Sequence, residues 1–160
     1  MKKIDITTVA TVFKDISDLA ADDQMLMKQA ILARENAYAP YSKFCVGAAL
    51  LLANGEIIFG SNQENAAYPS GMCAERVAIW NAGARFPNIQ ILQLAISAKS
   101  ANSLVDKPVG PCGACRQSLL EYEFKQKQPF EILFMGEVGE VVKVSSVTSL
   151  LPFSFDNSYL

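Results

Sequence analysis

Pro111-Cys112-Gly113-Ala114-Cys115 is the most informative stretch of the sequence, together with Cys73-Ala74-Glu75 earlier in the chain. The chain contains no histidine, so these three thiols and the nearby carboxylate are its evident metal chemistry. Zn²⁺ held by three protein ligands keeps a fourth tetrahedral position open to water, whereas structural zinc sites normally close with four ligands. The spacing therefore predicts a catalytic zinc site, with Cys73, Cys112 and Cys115 as ligands and Glu75 as the proton carrier.

Both cysteine motifs lie where a helix is predicted to begin. Pro111 suits a helix start because the missing N–H of proline would be unpaired there in any case. Cys112 and Cys115 then share one face of the first turn, at positions i and i+3. The partial positive charge at a helix N-terminus stabilises thiolates, and Cys73 is placed at the start of another predicted helix. We therefore expect two helix N-termini to converge on one ion.

The cysteines also allow simpler interpretations. Cys112 and Cys115 alone fit a redox pair, a disulfide or half of a zinc ribbon. A ribbon needs two further ligands, and the fourth cysteine, Cys45, lies in an apolar strand where a small buried side chain is expected. A redox pair or a disulfide leaves Cys73 and Glu75 without a role. Catalytic zinc is the interpretation that uses both motifs.

Arginine residues beside the cysteines can balance the charge of the site. Three thiolates around Zn²⁺ give the cluster a net negative charge, which reduces the ability of the ion to lower the pKa of bound water. Arg76 can donate hydrogen bonds to sulfur while it stays charged, so we expect it to offset this charge. An ordinary surface arginine is the alternative. Arg116, directly after Cys115, could also balance this charge. An ordinary surface residue or a residue at a subunit contact are the alternatives for it.

The bulk composition limits the partners and the location of the protein. A chain of 160 residues with 51% hydrophobic residues fits one globular domain. Its 14 basic and 16 acidic residues are scattered, so nucleic acid is not an expected partner. The longest apolar run is far short of the roughly 18 residues of a membrane helix, so no membrane is expected. Four cysteines suit a reducing compartment, and we expect a cytoplasmic protein.

Hydrophobic periodicity predicts an α/β fold with helices on a mixed sheet. Residues 1–21 are expected to form an N-terminal accessory segment, and residues 22–160 a single catalytic domain. Asn54-Gly55 predicts a hairpin between the first two strands, because this dipeptide tolerates positive φ angles. Helices that precede later strands favour parallel pairing. The predicted helices are 22–39, 73–83, 113–124 and a short 147–151, and the predicted strands are 44–53, 56–60, 89–97, 130–135 and 138–144.

With these motifs in place, the chain resembles the small, homotetrameric, zinc-dependent cytidine deaminases. The resemblance covers all but about the first twenty residues, and its further motifs are Ala37-Tyr38-Ala39-Pro40-Tyr41-Ser42-Lys43-Phe44, Val46-Gly47-Ala48-Ala49-Leu50, Gly60-Ser61-Asn62-Gln63-Glu64-Asn65-Ala66 and Leu150-Leu151-Pro152. It implies a three-layer α/β/α sandwich with a five-stranded mixed sheet and one Zn²⁺ per subunit. It also implies hydrolytic deamination of cytidine and 2′-deoxycytidine to uridine and 2′-deoxyuridine, with release of ammonia, in pyrimidine salvage.

The resemblance assigns substrate contacts within one subunit. Phe44 is expected to stack near the pyrimidine, although an ordinary core aromatic is the alternative. Asn62 and Glu64 are expected to hydrogen-bond the ribose hydroxyls, and a solvated loop is the alternative for both. Ala74 would offer its backbone to the base.

The same resemblance implies active sites that are shared between subunits. Ala66 and Tyr68 of one subunit would help to complete the sugar pocket of a neighbour, although Tyr68 could simply pack in its turn. Phe155 would close over the substrate, and Phe153 is the alternative closing aromatic. A homotetramer with a nucleoside substrate is therefore expected.

Other functions remain open at this point. A deaminase of the same fold could act on another base, a nucleotide or a nucleoside antibiotic. The carboxylate of Glu64 favours a free nucleoside, because it would repel a phosphate. Editing of RNA or single-stranded DNA is disfavoured by the acidic charge balance. A noncatalytic zinc-stabilised binding module would gain nothing from Glu75 or from an open coordination position.

Overall fold

The computed structural model describes residues 1–160 and contains one sheet with helices on both of its faces. The helices are α1 (Ala21–Arg34), α2 (Ala74–Arg85) and α3 (Gly113–Gln126), and the strands are β1 (Thr11–Phe13), β2 (Phe44–Leu52), β3 (Ile57–Ser61), β4 (Ile91–Ser100), β5 (Glu131–Met135) and β6 (Val141–Val144). A short 3₁₀ helix follows at Val147–Leu150. No helix is both long enough and apolar enough to cross a membrane.

The sheet is mixed, as expected, but it has six strands rather than five. Its strand order is β1-β6-β5-β4-β2-β3. Only β4 and β5 pair in parallel, and the other neighbours are antiparallel. The additional strand is β1, which pairs with β6 so that Thr11 lies opposite Lys143. Residues of the predicted accessory segment thus pair with backbone N–H and C=O groups that β6 would otherwise expose at the edge of the sheet.

The hairpin predicted at Asn54-Gly55 is present between β2 and β3. Gly55 has a φ of 85°, in the region that glycine adopts most easily. The Oδ1 of Asn54 accepts a hydrogen bond from the backbone N–H of Glu56 at 3.1 Å. These turn contacts set the antiparallel register in which Leu50 lies opposite Ile58.

Helix α1 is shorter than its predicted range of 22–39, because it ends at Arg34. The chain beyond it pairs with the segment that follows β3. The backbone N–H of Tyr38 donates to the carbonyl of Asn62 at 2.9 Å, and that of Glu64 donates to the carbonyl of Tyr38 at 2.8 Å. This pairing over a long sequence distance competes with helix continuation, and the local apolar spacing gives no sign of it.

Two hydrophobic clusters lie on opposite faces of the sheet, so the predicted three-layer α/β/α sandwich is confirmed. The alternation of side chains along β2 separates the two faces. Ala49 belongs to the cluster that α1 covers, together with Leu26 and Met27. Ala48 and Leu50 belong to the cluster that α2 and α3 cover.

Two glycines allow helices to approach the sheet closely. A Cβ atom on Gly47 would collide with the backbone of α1 at Ala30 and Arg34. A Cβ atom on Gly60 in β3 would collide with the carbonyl oxygen of Ala74, at the first turn of α2. The absence of a side chain at Gly60 therefore brings the start of α2, and the residues beside it, onto the sheet.

Candidate metal centre and substrate pocket

The starts of α2 and α3 converge on one point. Cys73 is the residue immediately before α2, and Cys112 is the residue immediately before α3. Both have extended backbone angles, and neither side chain caps its helix. Cys115 lies in the first turn of α3 and is fully buried. Helix α2 begins one residue after its predicted start at Cys73. Helix α3 begins at Gly113, as its predicted range has it, so Pro111 lies just before the helix rather than in its first turn. The sulfur atoms remain free to point at a shared position.

The three sulfur atoms lie at distances that fit a zinc ion. The Sγ of Cys73 is 4.0 Å from that of Cys112, and the Sγ of Cys112 is 3.5 Å from that of Cys115. All three lie within 4.8 Å of one another. Tetrahedral Zn²⁺ with Zn–S bonds of about 2.3 Å places its sulfur ligands about 3.8 Å apart. The cluster therefore fits Zn²⁺ with little movement, and thiolates are among the ligands that zinc prefers.

Contacts within the cluster shift the pKa values of two of its thiols in opposite directions. A hydrogen bond from Cys115 lowers the pKa of Cys73 to about 5, and Arg76 acts in the same direction. The same hydrogen bond raises the pKa of Cys115, because the shared proton stays on its sulfur. A thiolate is the form of cysteine that binds metal, so one ligand is already in that form at neutral pH.

Arg76 contacts the cluster, whereas Arg116 does not. The Nη2 of Arg76 donates a hydrogen bond to the Sγ of Cys73 at 3.4 Å. Arg116 instead donates to the carbonyl oxygens of Pro111 and Leu150, each at 2.8 Å. Arg116 therefore anchors the loop before α3 and leaves Arg76 as the cation beside the sulfurs.

Glu75 lies in the first turn of α2 and is 5% exposed. Burial raises the pKa of its carboxyl group to about 7, and the negative charge of Cys73 acts in the same direction. A carboxyl group whose pKa is close to the working pH can both accept and deliver a proton. The surroundings of Glu75 thus suit the proton-carrier role predicted for it.

A pocket of about 620 Å³ opens in front of the cluster. This volume falls within the range of about 300–1,000 Å³ that is typical of small-molecule sites. The predicted site residues that line it are Phe44, Asn62, Glu64, Tyr68, Cys73, Glu75, Arg76 and Cys112. A second crevice, of about 300 Å³, lies beside Phe86 and Tyr122 and contains none of these residues. The larger pocket is therefore the candidate active site.

Asn62 and Glu64 hold the backbone of the pocket wall. The side-chain amide of Asn62 accepts from the N–H of Val46 at 2.7 Å and donates to the carbonyl of Phe44 at 2.9 Å. The Oε2 of Glu64 accepts from the N–H groups of Tyr41 at 2.9 Å and Ser42 at 3.2 Å. These contacts fix both side chains and leave one N–H of Asn62, and further acceptor positions on the carboxylate of Glu64, able to bind a ligand.

The charge of Glu64 follows from the same contacts. A hydrogen bond from the side chain of Ser42 is the main factor that lowers the pKa of Glu64, against a smaller opposing effect of burial. The backbone N–H groups of Tyr41 and Ser42 add to the lowering. Glu64 is therefore ionised at neutral pH and places a negative charge at the pocket wall.

Three of the predicted substrate residues do not line the pocket of their own subunit. Ala74 is fully buried in the core, and Ala66 is exposed. Phe155 is 58% exposed, and its ring stacks on Tyr159 with centroids 5.6 Å apart. Phe153 is 85% exposed, so neither aromatic covers the pocket in the single chain. The roles assigned to these residues stay predictions.

Other pocket residues were not identified from the sequence. Ile96 of β4 and Val109 line the pocket, as do Asn65 and Met72. Ile96 has the pattern of any core residue of a strand and gave no signal. The position of Val109 near Pro111-Cys112 was the available clue to its place beside the metal ligands.

Cys45, the fourth cysteine, lies apart from the cluster. It is in β2 and is half-buried, rather than fully buried as its apolar surroundings predicted. It lies between Phe44 and Val46, which both line the pocket, so its own side chain points to the opposite face of the strand. Cys45 therefore takes no part in the metal centre.

Comparison with known proteins agrees with this geometry. Residues 20–128 match the family model of the cytidine and deoxycytidylate deaminase zinc-binding region. A curated cytidine deaminase of Halalkalibacterium halodurans is 41% identical over 134 residues, which cover 84% of this chain and 94% of that protein. A cytidine deaminase of Sporosarcina psychrophila is 39% identical over 142 residues, which cover 87% of this chain and 95% of that protein.

A solved structure shares the architecture. The crystal structure of cytidine deaminase from Burkholderia pseudomallei superimposes with a TM-score of 0.71 at 37% identity, over 86% of this chain and 100% of that chain. The family match spans well over half of the chain and contains both cysteine motifs. This chain belongs to the cytidine and deoxycytidylate deaminase family.

Proposed function

We propose that this protein is a zinc-dependent cytidine deaminase that converts cytidine and 2′-deoxycytidine to uridine and 2′-deoxyuridine, with release of ammonia, in pyrimidine salvage. The observation that carries the proposal is the cluster of three sulfurs, within 4.8 Å of one another, at a pocket that buried Glu75 also lines. The names of the relatives, cytidine deaminases at 41% and 39% identity, support the same reaction.

Cys73, Cys112 and Cys115 would hold one Zn²⁺ per subunit. When bound, the ion supplies a Lewis acid with one position open to water. Arg76, with its hydrogen bond of 3.4 Å to the Sγ of Cys73, offsets part of the negative charge of the thiolates. Cys115, which is fully buried, gives the cluster one ligand that solvent does not reach.

Glu75 moves the protons of the reaction. Its carboxylate accepts a proton from the attacking water and delivers it to N3 of the pyrimidine, which prepares C4 for attack by the water oxygen. The carboxylate then takes the proton of the new C4 hydroxyl group and delivers it to the exocyclic nitrogen. The bond from C4 to this nitrogen breaks as the C4 carbonyl forms, and the nitrogen leaves as ammonia. The burial of Glu75 keeps its pKa near neutrality, which supports transfer in both directions.

The pocket walls select a nucleoside. Phe44 offers an aromatic face to the base, and Asn62 and Glu64 bind the ribose hydroxyls through the atoms that their backbone contacts leave free. The ionised Glu64 disfavours a phosphate on the sugar, because like charges at short range repel.

Neighbouring subunits complete the site in a homotetramer. Tyr68 is 88% exposed at the rim of the pocket, and Ala66 is exposed close by in the chain. This exposure supports their assignment to the sugar pocket of a neighbouring subunit, and that of Phe155 to closure over the substrate.

Residues 22–160 carry the catalytic domain, and residues 1–21 form an accessory segment. The family match begins at residue 20, next to the start of α1 at Ala21, which supports this boundary. The pairing of β1 with β6 ties the segment to the edge of the sheet.

A panel of substrates tests the proposed function. We expect cytidine and 2′-deoxycytidine to be deaminated, with kcat/KM for cytidine 5′-monophosphate lower by at least about tenfold, because Glu64 repels the phosphate. Loss of ultraviolet absorbance and release of ammonia measure the reaction. Glu64→Gln should reduce the difference in kcat/KM between cytidine and its monophosphate. A preference of the unchanged protein for the monophosphate, or turnover of adenosine instead of cytidine, would refute the proposal.

A further inference from the structure

Trp80 lies one turn after Arg76 on α2, and its ring faces the guanidinium of that arginine. The Cζ of Arg76 is 5.9 Å from the centroid of the Trp80 ring. Positions i and i+4 of a helix are neighbours on its surface, so this contact is built into the helix geometry. Trp80 is the one tryptophan of the chain, is 43% exposed and does not line the pocket. The proposed reaction gives it no role.

Arg76 has few other contacts that fix its position. It makes one hydrogen bond, from Nη2 to the Sγ of Cys73 at 3.4 Å. Its Nε is buried and has no hydrogen-bond partner. None of the four salt bridges of the chain includes it. A long side chain held at its tip by one hydrogen bond keeps much of its rotamer freedom unless another group restrains it.

The ring of Trp80 provides that restraint. The face of an indole ring carries negative charge density and attracts a cation within about 6 Å of its centroid. Arg76 is therefore held between the ring of Trp80 and the sulfur of Cys73. An arginine that is fixed in this position neutralises the thiolate without a further loss of conformational entropy when metal binds.

We propose that Trp80 is a positioning residue of the metal centre, which tightens zinc binding by holding the guanidinium of Arg76 against the sulfur of Cys73. The proposal rests on the zinc site of the proposed function. Trp80 acts through Arg76 and touches neither the ion nor the substrate.

Zinc affinity of single and double variants tests this role. Competition with a chromogenic chelator gives the dissociation constant of zinc for the reduced protein. We expect Trp80→Leu and Trp80→Gln to weaken zinc binding by the same factor of about two to five, which is the range for a partly exposed cation–π contact. Trp80→Phe keeps an aromatic face and should restore most of the affinity. Circular dichroism checks that each variant keeps its helices.

The double variant separates positioning from general packing. Arg76→Gln alone should weaken zinc binding by about tenfold or more, as expected for a group that supports a metal ligand. Adding Trp80→Leu to Arg76→Gln should cause no further loss. KM for cytidine should stay unchanged in the Trp80 variants, because the residue lies outside the pocket.

Three outcomes would overturn the positioning role. The first is an unchanged zinc affinity in Trp80→Leu. The second is a further two- to fivefold loss of zinc affinity when Trp80→Leu is added to Arg76→Gln. The third is a much larger loss of zinc affinity for Trp80→Gln than for Trp80→Leu, which would indicate apolar packing. Failure of the unchanged protein to bind zinc would refute the metal site itself. Zinc binding without deamination would refute the proposed reaction and leave the role of Trp80 intact.

Discussion

Replacement of Cys112 by serine is expected to remove zinc binding and deamination together. Cys112 lies between the other two ligands, 4.0 Å from the Sγ of Cys73 and 3.5 Å from that of Cys115. A serine hydroxyl stays protonated at neutral pH and does not replace a thiolate as a zinc ligand. Bound zinc contributes several kcal/mol to the reaction, so kcat/KM should fall by at least about a thousandfold. Metal analysis and ultraviolet assays measure the two losses.

Cys45→Ser is the matched control for this substitution. Cys45 is half-buried, so it is less exposed than Cys112, and it lies in β2 outside the sulfur cluster. The control should keep its zinc and nearly all of its activity. If Cys112→Ser kept both zinc and turnover, or if Cys45→Ser lost them, the ligand set would be wrong.

Glu75→Gln is expected to separate metal binding from catalysis. Glutamine has nearly the same size as glutamate, but it cannot take up and deliver a proton. Loss of a positioned general acid and base typically lowers the rate by about 10²–10⁴-fold, and we expect kcat to fall within this range. The zinc content should stay at that of the unchanged protein, because the sulfurs of Cys73, Cys112 and Cys115 are intact.

Steady-state kinetics and metal analysis on the same preparation check the result. KM for cytidine should change much less than kcat, because Phe44, Asn62 and Glu64 still line the pocket. Undiminished ammonia release from the zinc-loaded variant would contradict the role of Glu75. Glu140→Gln, at an exposed position outside the pocket, is the control for the change of charge.

The cluster of Cys73, Cys112 and Cys115 is the part of the molecule that the sequence predicts best. Each cysteine motif carries its own local signal, and the helices begin one residue after Cys73 and Cys112. The convergence of the two helix starts depends on the sheet between them, and in particular on Gly60, which has no side chain to hold Ala74 away. A glycine in a predicted strand does not indicate which helix will pack against it.

Features that depend on contacts between distant parts of the chain were not predictable. The helix α1 ends at Arg34 because Tyr38 pairs with the backbone at Asn62 and Glu64. The strand β1 is three residues long, and its pairing with β6 across the whole sequence has no local signature. Helical spacing brings Cys73, Arg76 and Trp80 close together, but the sequence does not show that the guanidinium of Arg76 contacts both neighbours.

Removal and return of zinc is the most direct test of the account. Fully reduced protein would be stripped with a chelator, its metal content measured, and its turnover of cytidine followed before and after addition of one equivalent of Zn²⁺. We expect the stripped protein to be inactive and activity to return in proportion to the zinc bound, up to about one ion per subunit. Turnover at the original rate by folded protein that contains no transition metal would contradict the account.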